Sequence, residues 1–167
     1  MNSWLRYFFL FIVAVFLQVT IGNNIHLLGV AIPFLYIYFI LKFNSRNGRN
    51  TLMLWGFILG LSVDMFCDTP GMNAAAATCL AFFRTSLMRL VTLRDTDEGF
   101  RPGIKTLGFS SFLRYSLLSS LLFCTVLLVI DTFSFFNPLV LLLKIVTSTL
   151  ATVGCVLCAE LLGRKKE

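Results

Sequence analysis

Apolar runs of about 20 residues recur along the whole of this chain, and they limit what it can fold into. A run of that length is what a helix needs to cross the hydrocarbon core of a bilayer. Of the 167 residues, 57% are hydrophobic, and the mean hydropathy is +0.86. A soluble domain of this size usually has ~45–50% apolar residues. The sequence therefore predicts a single all-α integral membrane domain, with no room for a separate soluble domain.

Six transmembrane helices with short connections fit this pattern. We predict them over residues 4–21, 25–41, 51–66, 72–91, 107–130 and 137–162. Pro33 lies in the first half of the second helix and predicts a kink or an irregular opening there. The longest connection, residues 92–106, carries charges of both signs. It is expected to be a solvated linker, or else to lie on the membrane surface or contact a cytoplasmic partner.

The basic residues of the connections and tails predict how the helices are oriented. With the N-terminus inside, the predicted outer connections hold no Lys or Arg and only two acidic residues, Asp68 and Asp131. Cytoplasmic segments of membrane proteins carry an excess of Lys and Arg. We therefore expect a multi-pass inner-membrane protein with both termini cytoplasmic. The net charge of +6 reflects this orientation, and no aromatic-basic pattern suggests nucleic acid as a partner.

A stripe of small and acidic residues marks the third predicted helix. Gly56, Gly60, Asp64 and Asp68 recur every four residues, which places them on one face of a helix, and the turn at Gly71 follows. Glycines at this spacing let a neighbouring helix approach closely. Carboxylates inside an apolar segment are costly unless they have partners. The stripe is therefore a candidate contact surface for a partner. In the simpler interpretation, the glycines form a groove for helix packing and the two carboxylates lie near the boundary with water.

Asp64 and Lys144 are predicted to lie at one depth in the membrane. Each is roughly 10 Å below the outer boundary, given 1.5 Å per residue and a core of about 30 Å. Because opposite charges are tolerated together more easily than alone, we hypothesise an ion pair between neighbouring third and sixth helices. In the alternative, Lys144 reaches toward Asp131, and Asp64 caps backbone groups near the Pro70 turn.

Residues that could carry catalysis or bind a metal are scarce. His26 is the only histidine, and Cys155-x-x-Cys158 has neither a second cysteine pair nor a nearby histidine. We therefore predict no enzyme activity, no metal and no cofactor. Gln18, a polar residue near the end of the first helix, is expected to hydrogen-bond to a neighbouring helix.

The third helix and the turn after it resemble the signature of the rod shape-determining protein MreD family. The run GFILGLSVDMFCDTPGMNAAAA contains the Gly-Leu pair Gly60-Leu61, the aspartate Asp64 three residues on, and the Pro70-Gly71 turn. The first helix, with Gln18 near its end, and the segment Pro33–Leu41 are also similar to that family. The connection over residues 92–106 and the last two helices match by pattern only.

The resemblance implies a function and a set of partners. MreD-like proteins are non-enzymatic inner-membrane subunits of the cell-wall elongation machinery. Their partners are the single-span protein MreC, the RodA glycosyltransferase with its transpeptidase, cytoplasmic MreB through the complex, and membrane lipid. The implied fold is similar to the six-helix substrate-binding components of energy-coupling-factor transporters. That similarity supplies a second hypothesis, a substrate-binding subunit of a vitamin-type transporter, although fold alone does not transfer function.

Overall fold

The computed structural model describes residues 3–22, 33–44, 48–91, 102–132 and 138–164, and these ranges contain helices and turns without any strand. In chain order the helices are α1 (Ser3–Leu17), α2 (Ile37–Lys42), α3 (Arg49–Cys67), α4 (Met72–Val91), α5 (Ile104–Leu107), α6 (Phe109–Asp131) and α7 (Pro138–Arg164). A π-helical turn, Gln18–Gly22, continues α1.

Four helices in the described part of the chain, α3, α4, α6 and α7, are long and apolar enough to cross a membrane. A shorter apolar helix covers Leu10–Thr20. Large apolar side chains are exposed on the outside of the bundle, as at Leu139, Leu150 and Leu162 of α7. An apolar surface that covers whole helices is unfavourable in water, so these features indicate a membrane-embedded protein.

The second predicted helix is only partly helical in the part that is described. Residues 25–32 lie outside the described ranges, and from Pro33 onward the chain turns before α2 begins at Ile37. Proline lacks a backbone N–H and restricts the residue before it, which favours an irregular opening over a regular helix. The interruption predicted at Pro33 is therefore present, whereas a continuous span over residues 33–41 is wrong.

Backbone turns set the limits of the long helices. Asp68 ends α3 in the left-handed conformation, with φ 51°, and Gly71 has φ 78° just before α4. Gly108, with φ 80°, separates the four-residue α5 from α6. Glycine adopts such positive φ values without the steric cost that a Cβ brings. The fifth predicted helix, 107–130, is accordingly divided, and its long part begins at Phe109.

The six-residue helix α2 lies in the centre of the bundle. Helices α3 and α4, α4 and α6, and α6 and α7 pack side by side, whereas α2 touches α1, α4, α6 and α7. Ile37 and Ile40 of α2, and Tyr36 before it, are fully buried. Aromatic side chains fill the surrounding core, including Phe34, Tyr36 and Phe123 in mutual edge contacts.

The two ends of the bundle differ in charge. We call one the basic end: it comprises the C-termini of α2 and α4 and the N-termini of α3 and α6, and its described basic residues are Lys42, Arg49, Arg84, Arg89, Lys105 and Arg114. The opposite end has Asp68 and Asp131, and Lys144 lies two turns into α7. This asymmetry is the one that the sequence predicts for the two membrane faces.

Candidate functional site

The glycines of the stripe face α4, the next helix of the same chain. A Cβ added to Gly60 would lie 2.5 Å from the Ala74 Cα and 2.6 Å from the Ala74 N. At Gly56 the nearest atoms would be the Ala77 O at 3.2 Å and the Ala81 Cβ at 3.4 Å. The two helices therefore approach most closely at Gly60, beside the turn that joins them. The close neighbour predicted from the spacing is thus internal to the chain.

The Asp64 carboxylate binds the beginning of α4. Its Oδ2 accepts a hydrogen bond from the Ala74 backbone N at 2.9 Å, and its Oδ1 accepts one from the Asn73 backbone N at 3.0 Å. The first N–H groups of a helix lack partners within that helix, and they carry the positive end of its dipole. Asp64 thus caps α4 from the preceding helix, nine and ten residues before the amides it binds. The carboxylate is only 5% exposed.

Side chains complete the hydrogen bonding of this carboxylate. Thr69 Oγ1 donates to Asp64 Oδ1 at 2.8 Å, and Asn73 Nδ2 donates to the same oxygen at 2.9 Å. Asn73 Nδ2 also reaches Thr69 Oγ1, at 3.1 Å. The Tyr36 hydroxyl donates to Asn73 Oδ1 at 2.8 Å and so ties the network to the segment before α2. We call Asp64, Thr69, Asn73 and Tyr36 the hairpin network.

The predicted ion pair between Asp64 and Lys144 is not formed. Asp64 is engaged by backbone amides and polar side chains of the α3–α4 turn, and α7 packs along α6 and α2. Among the ion pairs between described residues, none joins Lys144 to Asp64 or to Asp131. The depth argument placed both residues at a similar height but could not show which helices are neighbours. The capping alternative for Asp64 describes what the structure contains.

The other acidic and glycine positions of the stripe have smaller roles. Asp68 lies at the end of the helix with its side chain exposed, so it does not extend the buried face of Gly60 and Asp64. Gly71 shapes the backbone with φ 78°, and a Cβ there would meet nothing within 4 Å. Gly71 is therefore required for its conformation rather than for a close contact.

Gln18 forms hydrogen bonds with the backbone of the irregular segment that precedes α2. Its Nε2 donates to the Pro33 carbonyl at 3.3 Å, and its Oε1 accepts from the Leu35 N at 2.8 Å. Thr152 of α7 accepts from the neighbouring Phe34 N at 3.2 Å. The polar contact predicted for Gln18 is thus made with the irregular segment that Pro33 creates, because amides there have no helical carbonyls to bind.

Arg84 performs the matching role at the other end of α2. Its Nη2 donates to the backbone carbonyls of Phe43 and, at 3.3 Å, of Leu41, while its Nε donates to the Tyr115 hydroxyl at 3.0 Å. Arg84 is only 3% exposed, and no carboxylate among the described residues pairs with it. Its charge instead meets the free carbonyls at a helix C-terminus, where a cation is favoured.

A second buried carboxylate lies at the basic end. Glu160 of α7 contacts Lys42 Nζ at 2.9 Å through Oε2 and at 3.1 Å through Oε1. It also accepts from the Tyr38 hydroxyl at 3.0 Å and from the Ile104 backbone N at 3.2 Å. We call Glu160, Lys42 and Tyr38 the basal cluster. It joins α2, α5 and α7, which are distant in the sequence.

Several of these groups are absent from the sequence-based predictions. Glu160 is the only acidic residue within the last apolar span, and an ionisable residue there warrants attention by default. Asn73, in the first turn of α4, is not among those predictions, and it bonds through its side chain to Tyr36, Asp64 and Thr69. Nothing in the sequence indicates that Arg84 binds the carbonyls of Leu41 and Phe43, because every residue has a backbone carbonyl and no residue type marks such a partner.

The buried charged side chains of this arrangement hold helices of the bundle together. Each buried charged side chain described above binds backbone groups or a neighbouring side chain of this chain. In the described ranges, no group of three or more His, Cys, Asp or Glu residues could hold a metal ion. Three hydroxyls on α6, those of Ser116, Ser119 and Ser120, are buried without a hydrogen-bond partner.

Comparison with known proteins gave no relative. No protein-family model matches this chain, and searches among curated proteins and among solved structures found no significant match.

Proposed function

We propose that this chain is a non-enzymatic scaffold subunit of the inner-membrane machinery that elongates the lateral cell wall, as its resemblance to MreD implies. The observation that carries the proposal is the position of Asp64. The aspartate of the Gly-Leu-x-x-Asp motif binds the first amides of α4 in a buried network. A motif used in this way fixes the shape of a hairpin, which suits a scaffold, whereas an enzyme requires a reactive group open to a substrate.

The surfaces left for partners are apolar helix faces. The exposed side chains of α7 include Leu139, Leu142, Leu143, Val146 and Leu150. Such faces suit contact with lipid or with the transmembrane helix of a single-span partner, since helices associate in membranes through packing. We propose an MreC-like single-span protein as the direct partner. RodA with its transpeptidase, and MreB on the cytoplasmic side, would be reached through that complex.

We also propose six spans with both termini cytoplasmic, which makes the basic end the cytoplasmic one. The fold would then be similar to the six-helix components of energy-coupling-factor transporters. Support comes from the separation of Lys42, Arg49 and Arg89 from Asp68 and Asp131. Connections rich in Lys and Arg stay on the cytoplasmic side.

Cysteine labelling tests this orientation. In a chain whose five cysteines are replaced by alanine, Gly48→Cys and Pro70→Cys place single thiols at exposed positions near opposite ends of α3. An impermeant maleimide added to intact cells with a permeabilised outer membrane should label Pro70→Cys and leave Gly48→Cys unlabelled. After lysis both should react, which controls for accessibility. Labelling of Gly48→Cys alone in intact cells would reverse the proposed topology.

Depletion of the protein in the cells that produce it tests the function. If it is a scaffold of lateral wall synthesis, cells should become round before they lyse, and re-expression should restore rods. The growth medium should make no difference to the shape defect. Growth restored by an added vitamin, in cells of normal shape, would instead support the substrate-binding subunit of a transporter and contradict the scaffold.

A further inference from the structure

A narrow apolar cavity of about 200 Å³ lies between α1, α2 and α7. Its apolar lining comes from Leu10, Ala14 and Leu17 of α1, Phe39 of α2, and Cys155 and Ala159 of α7. From Leu10 to Leu17 the lining extends roughly 10 Å along the helix axis, at 1.5 Å per residue. The side chains on the α7 side are small, so α1 and α7 leave a gap beside α2.

The basal cluster closes one end of this cavity. Lys42 and Tyr38 both line it, and both bind the buried Glu160. The Lys42 side chain is 32% exposed, and its described hydrogen-bond partners are the two Glu160 oxygens. An ammonium group has three donor hydrogens, so at least one remains available for an acceptor that enters the cavity mouth. The opposite end, near Leu17 and Leu35, is apolar.

The lining and the polarity of the cavity indicate its occupant. The lining is apolar apart from Lys42 and Tyr38 at one end. A hydrocarbon chain with a polar group at one end matches this arrangement. The cavity ends at Lys42, within the basic end of the bundle, where an anion is favoured. Basic pockets between membrane helices bind the phosphates of anionic lipids.

We propose that this cavity binds one acyl chain of an anionic phospholipid, whose phosphate contacts Lys42. Glu160 and Tyr38 hold the ammonium at the mouth of the cavity, so that the phosphate meets a positioned cation. The chain lies along Phe39 between α1 and α7 and covers apolar surface that the helices leave open. This site is independent of the function proposed above, because it depends on the cavity and the basal cluster alone.

Native mass spectrometry of the purified full chain tests the site, with phosphatidylglycerol and phosphatidylcholine of equal chain length as probes. One phosphatidylglycerol should bind per chain, with about fivefold preference over phosphatidylcholine. That factor corresponds to about 1 kcal/mol for one basic side chain at an anionic lipid. Cys155→Phe fills the cavity and should weaken binding of both lipids about tenfold, the effect of losing burial for about two methylene groups.

Two further variants separate the cavity from the outer surface and from the charge. Gly154→Phe adds the same side chain at the next residue of α7, where nothing lies within 4 Å, and should bind both lipids as the unmodified chain does. Lys42→Gln combined with Glu160→Gln removes both charges together and leaves no buried lone carboxylate. It should still bind a lipid but lose the preference for phosphatidylglycerol.

The outcomes against the proposal are equally defined. Equal binding by the Cys155→Phe and Gly154→Phe variants would overturn it, since the lipid would then lie outside the cavity. A preference for phosphatidylglycerol that survives in the Lys42→Gln and Glu160→Gln double variant would overturn it as well, because the phosphate would not be held by Lys42. Thermal unfolding of each variant in the same detergent checks that the chain is folded before lipids are added.

Discussion

Gly60→Ala should remove most of the folded protein from the membrane. The added methyl group would lie 2.5–2.6 Å from backbone atoms of Asn73 and Ala74, which cannot rotate away as a side chain can. The α3–α4 hairpin would have to open, and with it the bonds from Asp64. Overpacking of a tight core costs about 1–3 kcal/mol, and the lost hydrogen bonds add to it. The measurements are the protein level in membranes and the free energy of unfolding in mixed detergent.

Two other glycines provide matched controls for Gly60. Gly56→Ala meets the Ala77 O at 3.2 Å and the Ala81 Cβ at 3.4 Å, so a small adjustment of the helices should accommodate it. Gly154→Ala has open space around its Cβ and should be neutral or slightly stabilising, since alanine is the better helix former. If all three variants unfold alike, the close approach at Gly60 does not determine the stability of the hairpin.

Asp64→Asn should be nearly as damaging, for an electrostatic reason. The amide keeps one acceptor oxygen, but its NH₂ group would face either the Asn73 N–H or the Ala74 N–H, which are both donors. A buried N–H without a partner costs about 1–3 kcal/mol, and a hydrogen bond to a charged acceptor is worth about 1.5–3 kcal/mol. We therefore expect a loss of about 3 kcal/mol in the free energy of unfolding, measured in mixed detergent.

Asp68→Asn is the control for this substitution, because it makes the same chemical change four residues away. Asp68 is exposed and has a positive φ, which asparagine also tolerates, so the variant should unfold within about 0.5 kcal/mol of the unmodified chain. Lys144→Met should not change the loss of stability that Asp64→Asn causes, because the two side chains do not pair. A double variant that is less destabilised than the sum of the two single variants would show that Asp64 and Lys144 interact, contrary to the structure.

The sequence predicts the α3–α4 hairpin well because local signals dominate there. The predicted helix over residues 72–91 has the bounds of α4, and α3 extends the predicted 51–66 by two residues at one end and one at the other. Pro70 and Gly71 interrupt two apolar runs, which is the strongest punctuation that a sequence offers. The packing of Gly60 also follows from spacing, since only a small residue permits that approach.

Contacts between distant elements could not be predicted in the same way. Hydrophobic content distinguishes membrane helices from loops, but it does not say which helices are neighbours, and the expected partner of Asp64 was therefore wrong. The partners of Asp64 and Arg84 are in large part backbone groups, whose positions depend on the fold. Pro33 explains only part of the shortness of α2, because the helix begins four residues after it. The amides of Phe34 and Leu35, which lie between, are bound by the side chains of Thr152 and Gln18. These contacts between distant residues could not be predicted from the sequence.

The way α2 is held has a consequence for the order in which the bundle is made. Asp64 binds the amides of Asn73 and Ala74, only nine and ten residues later, so these hydrogen bonds can form as soon as α4 is synthesised. The Phe34 N, by contrast, must wait for Thr152, 118 residues later, and the Leu41 carbonyl for Arg84, 43 residues later. Until then these backbone groups need water or the insertion machinery, because lipid offers no substitute. The central helix of the bundle is therefore among the first parts to be made and among the last to be secured.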